Sequence, residues 1–185
     1  SLEESMSNFN IIKLPLNDAA LIETNFNEDS RGIFSRFFCN NELKSLLSEN
    51  EIVNINFSQS KKKGTLRGLH FQHEPNQEKK FVRCITGKIY DVIVDLRKDS
   101  GTYLKWYGVE LSSKNKKMLY VPEGFAHGFQ TLENNSEIMY CVTSYYSPND
   151  EGGYRFNDPS LKIKWPLEIT EISNKDLNFL DFIKS

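Results

Sequence analysis

The sequence predicts an all-β protein, an antiparallel barrel or double-sheet jelly roll with short peripheral helices. Three observations carry that reading. Short runs of β-forming residues recur about every ten residues from Phe81 to Tyr146, each followed by a turn signal. Residues 52–60 alternate, with Asn54, Asn56, Ser58 and Ser60 on one face and Ile55 and Phe57 on the other, as suits a strand lining a wet cavity. Two of the three histidines lie in Gly64-Thr65-Leu66-Arg67-Gly68-Leu69-His70-Phe71-Gln72-His73, and the third, His127, in Pro122-Glu123-Gly124-Phe125-Ala126-His127-Gly128-Phe129. With strand-like runs between them, both motifs fit neighbouring strands that face one cavity.

In chain order, residues 10–25 hold short apolar runs and read as one or two strands. Residues 27–32 form a turn into an aromatic-rich strand over 33–38. Residues 41–47 offer Asn41 as a cap and apolar positions three and four apart, so a short helix is expected. The clearest strands are 81–85 and 88–97, split by Thr86-Gly87, followed by 105–111, 117–121, 127–132 and 137–146. Residues 173–180 read as a capped terminal helix. No repeat, linker or low-complexity tract appears, and 185 residues make one domain, 1–185, with a sizeable core. The opening Ser1-Leu2 lacks an initiator Met, so residues 1–6 are expected to include a remnant of expression.

The 23 basic and 25 acidic residues nearly cancel, which argues against a nucleic-acid partner. The one basic run, Lys61-Lys62-Lys63, reads as a solvated turn. Cys39, Cys84 and Cys141 are odd in number, and the latter two sit in apolar runs, as reduced core thiols of a cytoplasmic protein would. There is neither a signal peptide nor an apolar run long enough to span a bilayer, so no membrane partner is expected.

An early Gly-x5-His and a late Pro-x-Gly-x-x-His on a jelly roll are the skeleton of a cupin, a double-stranded β-helix. Metal-binding cupins place a second His two residues after the first; here Gln72 stands there, and His73 falls on the opposite face of the strand. His70 and His127 would need Glu74 or Glu78 to complete a metal site, so neither metal nor cofactor is expected. Without a metal, His70 becomes a general base, Lys80 a cation for developing negative charge, and Tyr140 an acid on a neighbouring strand.

The chain resembles the dTDP-4-dehydrorhamnose 3,5-epimerase family of metal-independent cupins. The resemblance rests on Asp29-x-Arg31-Gly32-x-Phe34, the stretch from Gly64 to Gln72, Asp91-Val92-x-Val94-Asp95-Leu96-Arg97, the stretch from Pro122 to Phe129, and Asn157-Asp158-Pro159. It implies cofactor-free epimerisation beside the carbonyl of a nucleotide-linked 4-ketohexose. It also implies roles: His70 as base, Asp176 as the carboxylate orienting it, Lys80 facing the ketone oxygen, and Tyr140 as the reprotonating acid. Arg67, His127, Glu151 and Lys175 fall at substrate contacts, Tyr146 where an aromatic ring stacks on the base, and Arg31 on the nucleotide side. Asn54 and Asn56 lie on that side too; the family commonly has Gln at position 54 and Glu at position 36, where this chain has Arg36. The resemblance further implies a homodimer that exchanges N-terminal strands. Alternatives within the fold are C3-only epimerisation and a sugar-nucleotide ketoisomerase; outside catalysis, a sugar-binding cupin. The last would be expected to lose one of His70, Lys80, Tyr140 and Asp176, and all four are present.

Overall fold

Strand alternation sorts the chain into two stacked sheets and a separate hairpin. The structure, a computed structural model, describes residues 7–182, so the expected remnant at 1–6 lies outside the described residues. One sheet contains six strands: β1 (Phe9–Lys13), β2 (Ala20–Thr24), β5 (Asn54–Ser60), β7 (Lys80–Thr86), β10 (Met118–Val121) and β12 (Ser136–Val142). Their order is β1-β2-β10-β7-β12-β5. The other has five: β6 (Leu66–Gln72), β8 (Lys88–Asp95), β9 (Trp106–Ser112), β11 (Phe125–Thr131) and β13 (Glu151–Gly153), in the order β13-β6-β11-β8-β9. The pairs joining these strands are antiparallel, as the expected jelly roll requires.

Apolar residues two apart place three clusters around these layers. Leu21, Val82, Cys84, Leu119 and Ile138 of the first sheet meet Ile89, Ile93, Leu111, Phe125 and Phe129 of the second. The outer face of the first sheet, with Ile22, Phe81, Met118 and Cys141, is covered by Leu43, Leu47 and the partly buried Phe37 and Phe38. The outer face of the second, with Leu69, Val92 and Val94, packs on Leu161, with Trp165 beside it. Cys84 and Cys141 are buried, Cys39 half-buried, and all three are unpaired, as expected.

Several boundaries differ from the sequence reading. The segment 27–32 is mostly strand: β3 (Phe26–Asp29) and β4 (Gly32–Ser35) form a hairpin whose turn is only Ser30-Arg31. β4 ends at Ser35 because Phe37 and Phe38 turn away to cover the core, where the Arg83 guanidinium donates to the Phe37 carbonyl. Helix α1 spans Lys44–Leu47, with Leu43 at its cap and no side-chain capping bond. Burial of Leu43 and Leu47 sets where it forms, and Asn41 does not cap it. β12 stops at Val142, leaving Tyr145 and Tyr146 in a loop. Helix α2 is only Asn174–Leu177, but Ser173 caps it, its Oγ accepting from the Asp176 N–H.

Candidate active site

The polar face read in residues 52–60 is real and points inward. Asn54, Asn56 and Ser58 pair with Val142, Tyr140 and Ile138, and opposite residues on paired strands share a face. Val142 in turn sits opposite Lys80, and Tyr140 opposite Val82. One wall of a cavity of about 170 Å³ is thus Asn54, Asn56, Lys80 and Tyr140. The facing wall comes from β6 and β11, where His70 and His127 are register partners. A deeper recess is lined by Ser58, Arg67, His70, Lys80, His127 and Tyr140.

Two glycines allow that juxtaposition. Gly68 has φ +119°, and a Cβ there would lie 2.6 Å from Gly128 Cα and 2.8 Å from the His127 carbonyl. The close approach shifts the β6–β11 register between His127 and Phe129. It also aims the Gly68 N–H at Asp176 Oδ2, 3.0 Å away.

The other Asp176 oxygen, Oδ1, is 2.7 Å from His70 Nε2. This carboxylate is buried, on the first turn of α2, whereas the imidazole is partly open to the cavity. Burial pushes the Asp176 carboxyl up, but bonds from His70 and the Gly68 N–H, with nearby positive charge, hold it below its ordinary value. The dyad therefore fixes the imidazole and leaves its other nitrogen to take up a proton. Phe179 braces the ring edge-on, with centroids 5.9 Å apart.

Lys80, nearly buried, projects from β7, its Nζ 5.7 Å from the centre of the Tyr140 ring. Glu78 Oε1 lies 3.4 Å from that ammonium. His127 forms a second dyad, its Nε2 2.6 Å from Asp91 Oδ1 with both groups buried. At the mouth, the Tyr146 hydroxyl donates to Glu151 Oε2 at 3.1 Å, and Lys175 Nζ donates to Glu151 Oε1. The hydrogen bond from Lys175 holds the Glu151 carboxyl below its ordinary value, and Glu151 raises the Lys175 ammonium in return. Arg67, Glu151, Lys175 and Asp176 border a groove beside His70. Arg67 is held by Ser60 Oγ at 3.0 Å and the Gln59 carbonyl at 2.8 Å.

Ten of the other twelve expected site residues are therefore near His70. The exceptions are Arg31, which sits in the hairpin turn paired with Asp29 at 2.5 Å, and Arg36, exposed just past β4. Among the described residues, no group of three or more His, Cys, Asp and Glu side chains could hold a metal ion. His73 lies beyond the end of β6, its ring against Phe71.

Sequence reasoning missed two residues here. Asp91 is an acid between the in-facing Ile89 and Ile93, a charge at a core position that alternation could have flagged. The Gln72 amide donates to the Tyr145 carbonyl at 3.2 Å and its oxygen accepts from the Ser147 N–H at 2.8 Å, fixing the loop that carries Tyr146. Ser58, which the alternation of residues 52–60 already put on the polar face, lies on the wall of the deeper recess with its Oγ buried and without a hydrogen-bond partner.

Comparison with known proteins places the chain among sugar-nucleotide epimerases. The chain is 41% identical over 175 residues to dTDP-4-dehydrorhamnose 3,5-epimerase of Shigella flexneri, covering 94% of this chain and 96% of that one. The crystal structure of the Bacillus anthracis enzyme of the same name, with TDP and PPi bound, superposes with a TM-score of 0.90 at 41% identity, covering 94% and 99% of the two chains. A Legionella pneumophila dTDP-6-deoxy-D-glucose-3,5-epimerase, in complex with dTDP-4-keto-L-rhamnose, gives 0.86 at 39% identity, covering 91% and 90%. The sequence profile for dTDP-4-dehydrorhamnose 3,5-epimerase matches residues 13–183, and the chain belongs to that family.

Proposed function

We propose that this protein inverts C3, C5 or both in a nucleotide-linked 4-keto-6-deoxyhexose, converting dTDP-4-dehydro-6-deoxyglucose to dTDP-4-dehydrorhamnose. The observation that carries the reading is the placement of His70, held by Asp176 of α2, on one sheet and of Tyr140 with Lys80 on the facing sheet. A sugar ring between them meets a base on one face and an acid on the other. His70 removes the proton beside the carbonyl, and the electron pair moves onto the ketone oxygen as an enolate. Lys80 faces that oxygen and stabilises its charge. Tyr140 then donates its phenolic proton to the carbon from the opposite face, which inverts the centre. His70 and solvent restore the starting protonation.

Arg67, His127, Glu151 and Lys175 contact the substrate, Asn54 and Asn56 its nucleotide side, and Tyr146 stacks on the base. Arg31 and Arg36 act across a homodimer that exchanges its hairpins, Arg36 gripping the diphosphate or the base edge. Support for this exchange is the hairpin itself, which pairs only β3 with β4 and leaves Phe26, Ile33 and Phe34 exposed. The nucleotide-linked substrate supports a cytoplasmic site of action, and no described helix is long and apolar enough to cross a membrane.

NMR of dTDP-4-dehydro-6-deoxyglucose with the protein in deuterated water tests the reading. Solvent deuterium entering C3, C5 or both with inversion is expected; no deuterium at either carbon would refute it. Calorimetry with dTDP, UDP, CDP and GDP, on wild type and Arg36→Ala, reads the nucleotide side.

A further inference from the structure

The approach to β7 carries three consecutive charged residues, and strand alternation sends them in opposite directions. Glu78 and Lys80 face the cavity, and Lys79 between them faces away. Lys79 Nζ donates to the carbonyls of Leu46 and Leu47 at 3.0 and 2.9 Å, at the end of α1. Its backbone N–H donates to Thr143 Oγ1 at 2.9 Å, and its carbonyl accepts from the Thr143 N–H at 3.2 Å. Ser144 Oγ donates to the Gln77 carbonyl at 2.9 Å. The segment under Glu78 is therefore held from both sides.

Glu78 and Lys80 have only 15% and 10% of their side chains exposed, so neither charge keeps much of its hydration. Their separation of 3.4 Å is longer than the roughly 2.7–2.9 Å of a closed ammonium–carboxylate hydrogen bond. The pair restrains Lys80 without locking it. A cavity built for a diphosphate-linked sugar has a second reason to carry a carboxylate. An unbalanced ammonium there would bind substrate phosphate as readily as the ketone oxygen.

We propose that Glu78 is a positioning residue: its carboxylate holds the Lys80 ammonium toward the sugar end of the cavity and releases it to the ketone oxygen as the enolate forms. The inference rests on the proposed role of Lys80. Glu78 itself touches no reacting atom.

The test crosses charge against volume. Glu78→Gln keeps the shape and removes the charge, whereas Glu78→Asp keeps the charge and shortens the arm. With dTDP-4-dehydro-6-deoxyglucose, Glu78→Gln should lower kcat by about tenfold or more with KM unchanged or lower, because anion binding survives and positioning does not. Glu78→Asp should stay within about threefold of wild type. A purely structural glutamate gives the reverse order, with Gln tolerated and Asp impaired, and that result overturns the proposal. In a Lys80→Met background, read by slow deuterium uptake over hours, Glu78→Gln should cost nothing further; an undiminished loss there also overturns it. Wild-type uptake in Lys80→Met alone removes the role of Lys80 on which the inference stands. Wild-type kcat in Glu78→Gln beside an impaired Lys80→Met removes Glu78 only. Should Glu78→Gln fail to fold, Glu78→Ala with added sodium formate replaces it. Recovery of rate by formate supports the proposal, and its absence counts against it.

Discussion

In the proposed reaction His70 divides two duties between its ring nitrogens: Nε2 is fixed by Asp176, and the other carries the proton transfer. Truncating it removes base and orientation together. His70→Ala should reduce solvent deuterium uptake at both candidate carbons by roughly 100- to 10,000-fold while TDP still binds. Wild-type uptake would remove His70 from the mechanism. In the proposed reaction Tyr140 acts one step later. Tyr140→Phe preserves the ring beside Lys80 and deletes only the transferable proton. Deuterium uptake with retained configuration, or uptake outrunning epimerisation, is expected; inversion at the wild-type rate would assign the acid elsewhere. That His70, Lys80 and Tyr140 would line one cavity was legible from residue type and strand parity, and the place of Asp176 beside them through the resemblance. The partners that Asp91 and Glu78 take were not, because parity states which face a side chain takes but not which neighbour it meets there. The Asp91–His127 and Glu78–Lys80 pairs are meetings of that kind.

Among the elements, β6 and β11 set the geometry of the site through their glycines. Gly68→Ala would press a methyl group against the backbone of His127 and Gly128, atoms that cannot rotate aside, at a φ disfavoured for alanine. Such an incompatible Gly→Ala change costs more than about 1 kcal/mol. The urea midpoint should fall with m unchanged, and deuterium uptake should fall further than stability accounts for, since the Gly68 N–H also orients Asp176. An unaltered midpoint and rate would show that the two strands can separate at no cost. Strand interiors were readable here because a period of two survives any packing. Element ends were not. β4 stops where Phe37 and Phe38 are drawn into the core, and α1 forms where Leu43 and Leu47 are buried, both choices made by distant parts of the chain.

For the whole molecule, stability is tied to buried carboxylates. Burial pushes Asp95 up, but bonds from Arg97, Ser100 and Thr102 outweigh it and hold the carboxyl below its ordinary value of 3.8. A carboxyl lowered on folding stabilises above its unfolded value and loses that contribution as pH falls through the folded one. Wild type should therefore lose stability as the pH drops below 3.8. Asp95→Asn should be roughly 1–3 kcal/mol less stable at neutral pH, since Arg97 keeps Asp18 and some solvent, and should show a shallower acid decline. Urea titrations across that range would record both, and parallel acid limbs would place the sensitivity in other acids. The jelly roll itself was legible because its evidence is spread over many strands, so misplaced ends did not disturb it. The same thorough burial governs the sulfur chemistry. Burial pushes the Cys84 thiol up to about 12 and the Cys141 thiol upward as well, so neither supplies thiolate near neutral pH, whereas Cys39 is half-buried. A maleimide should accordingly tag the native protein at Cys39 alone and reach all three cysteines only when the sheets come apart. Counting tags by mass spectrometry during denaturation would follow opening of the sandwich with no dye or engineered probe, Cys141 reporting the layer over the first sheet and Cys84 the space between the two.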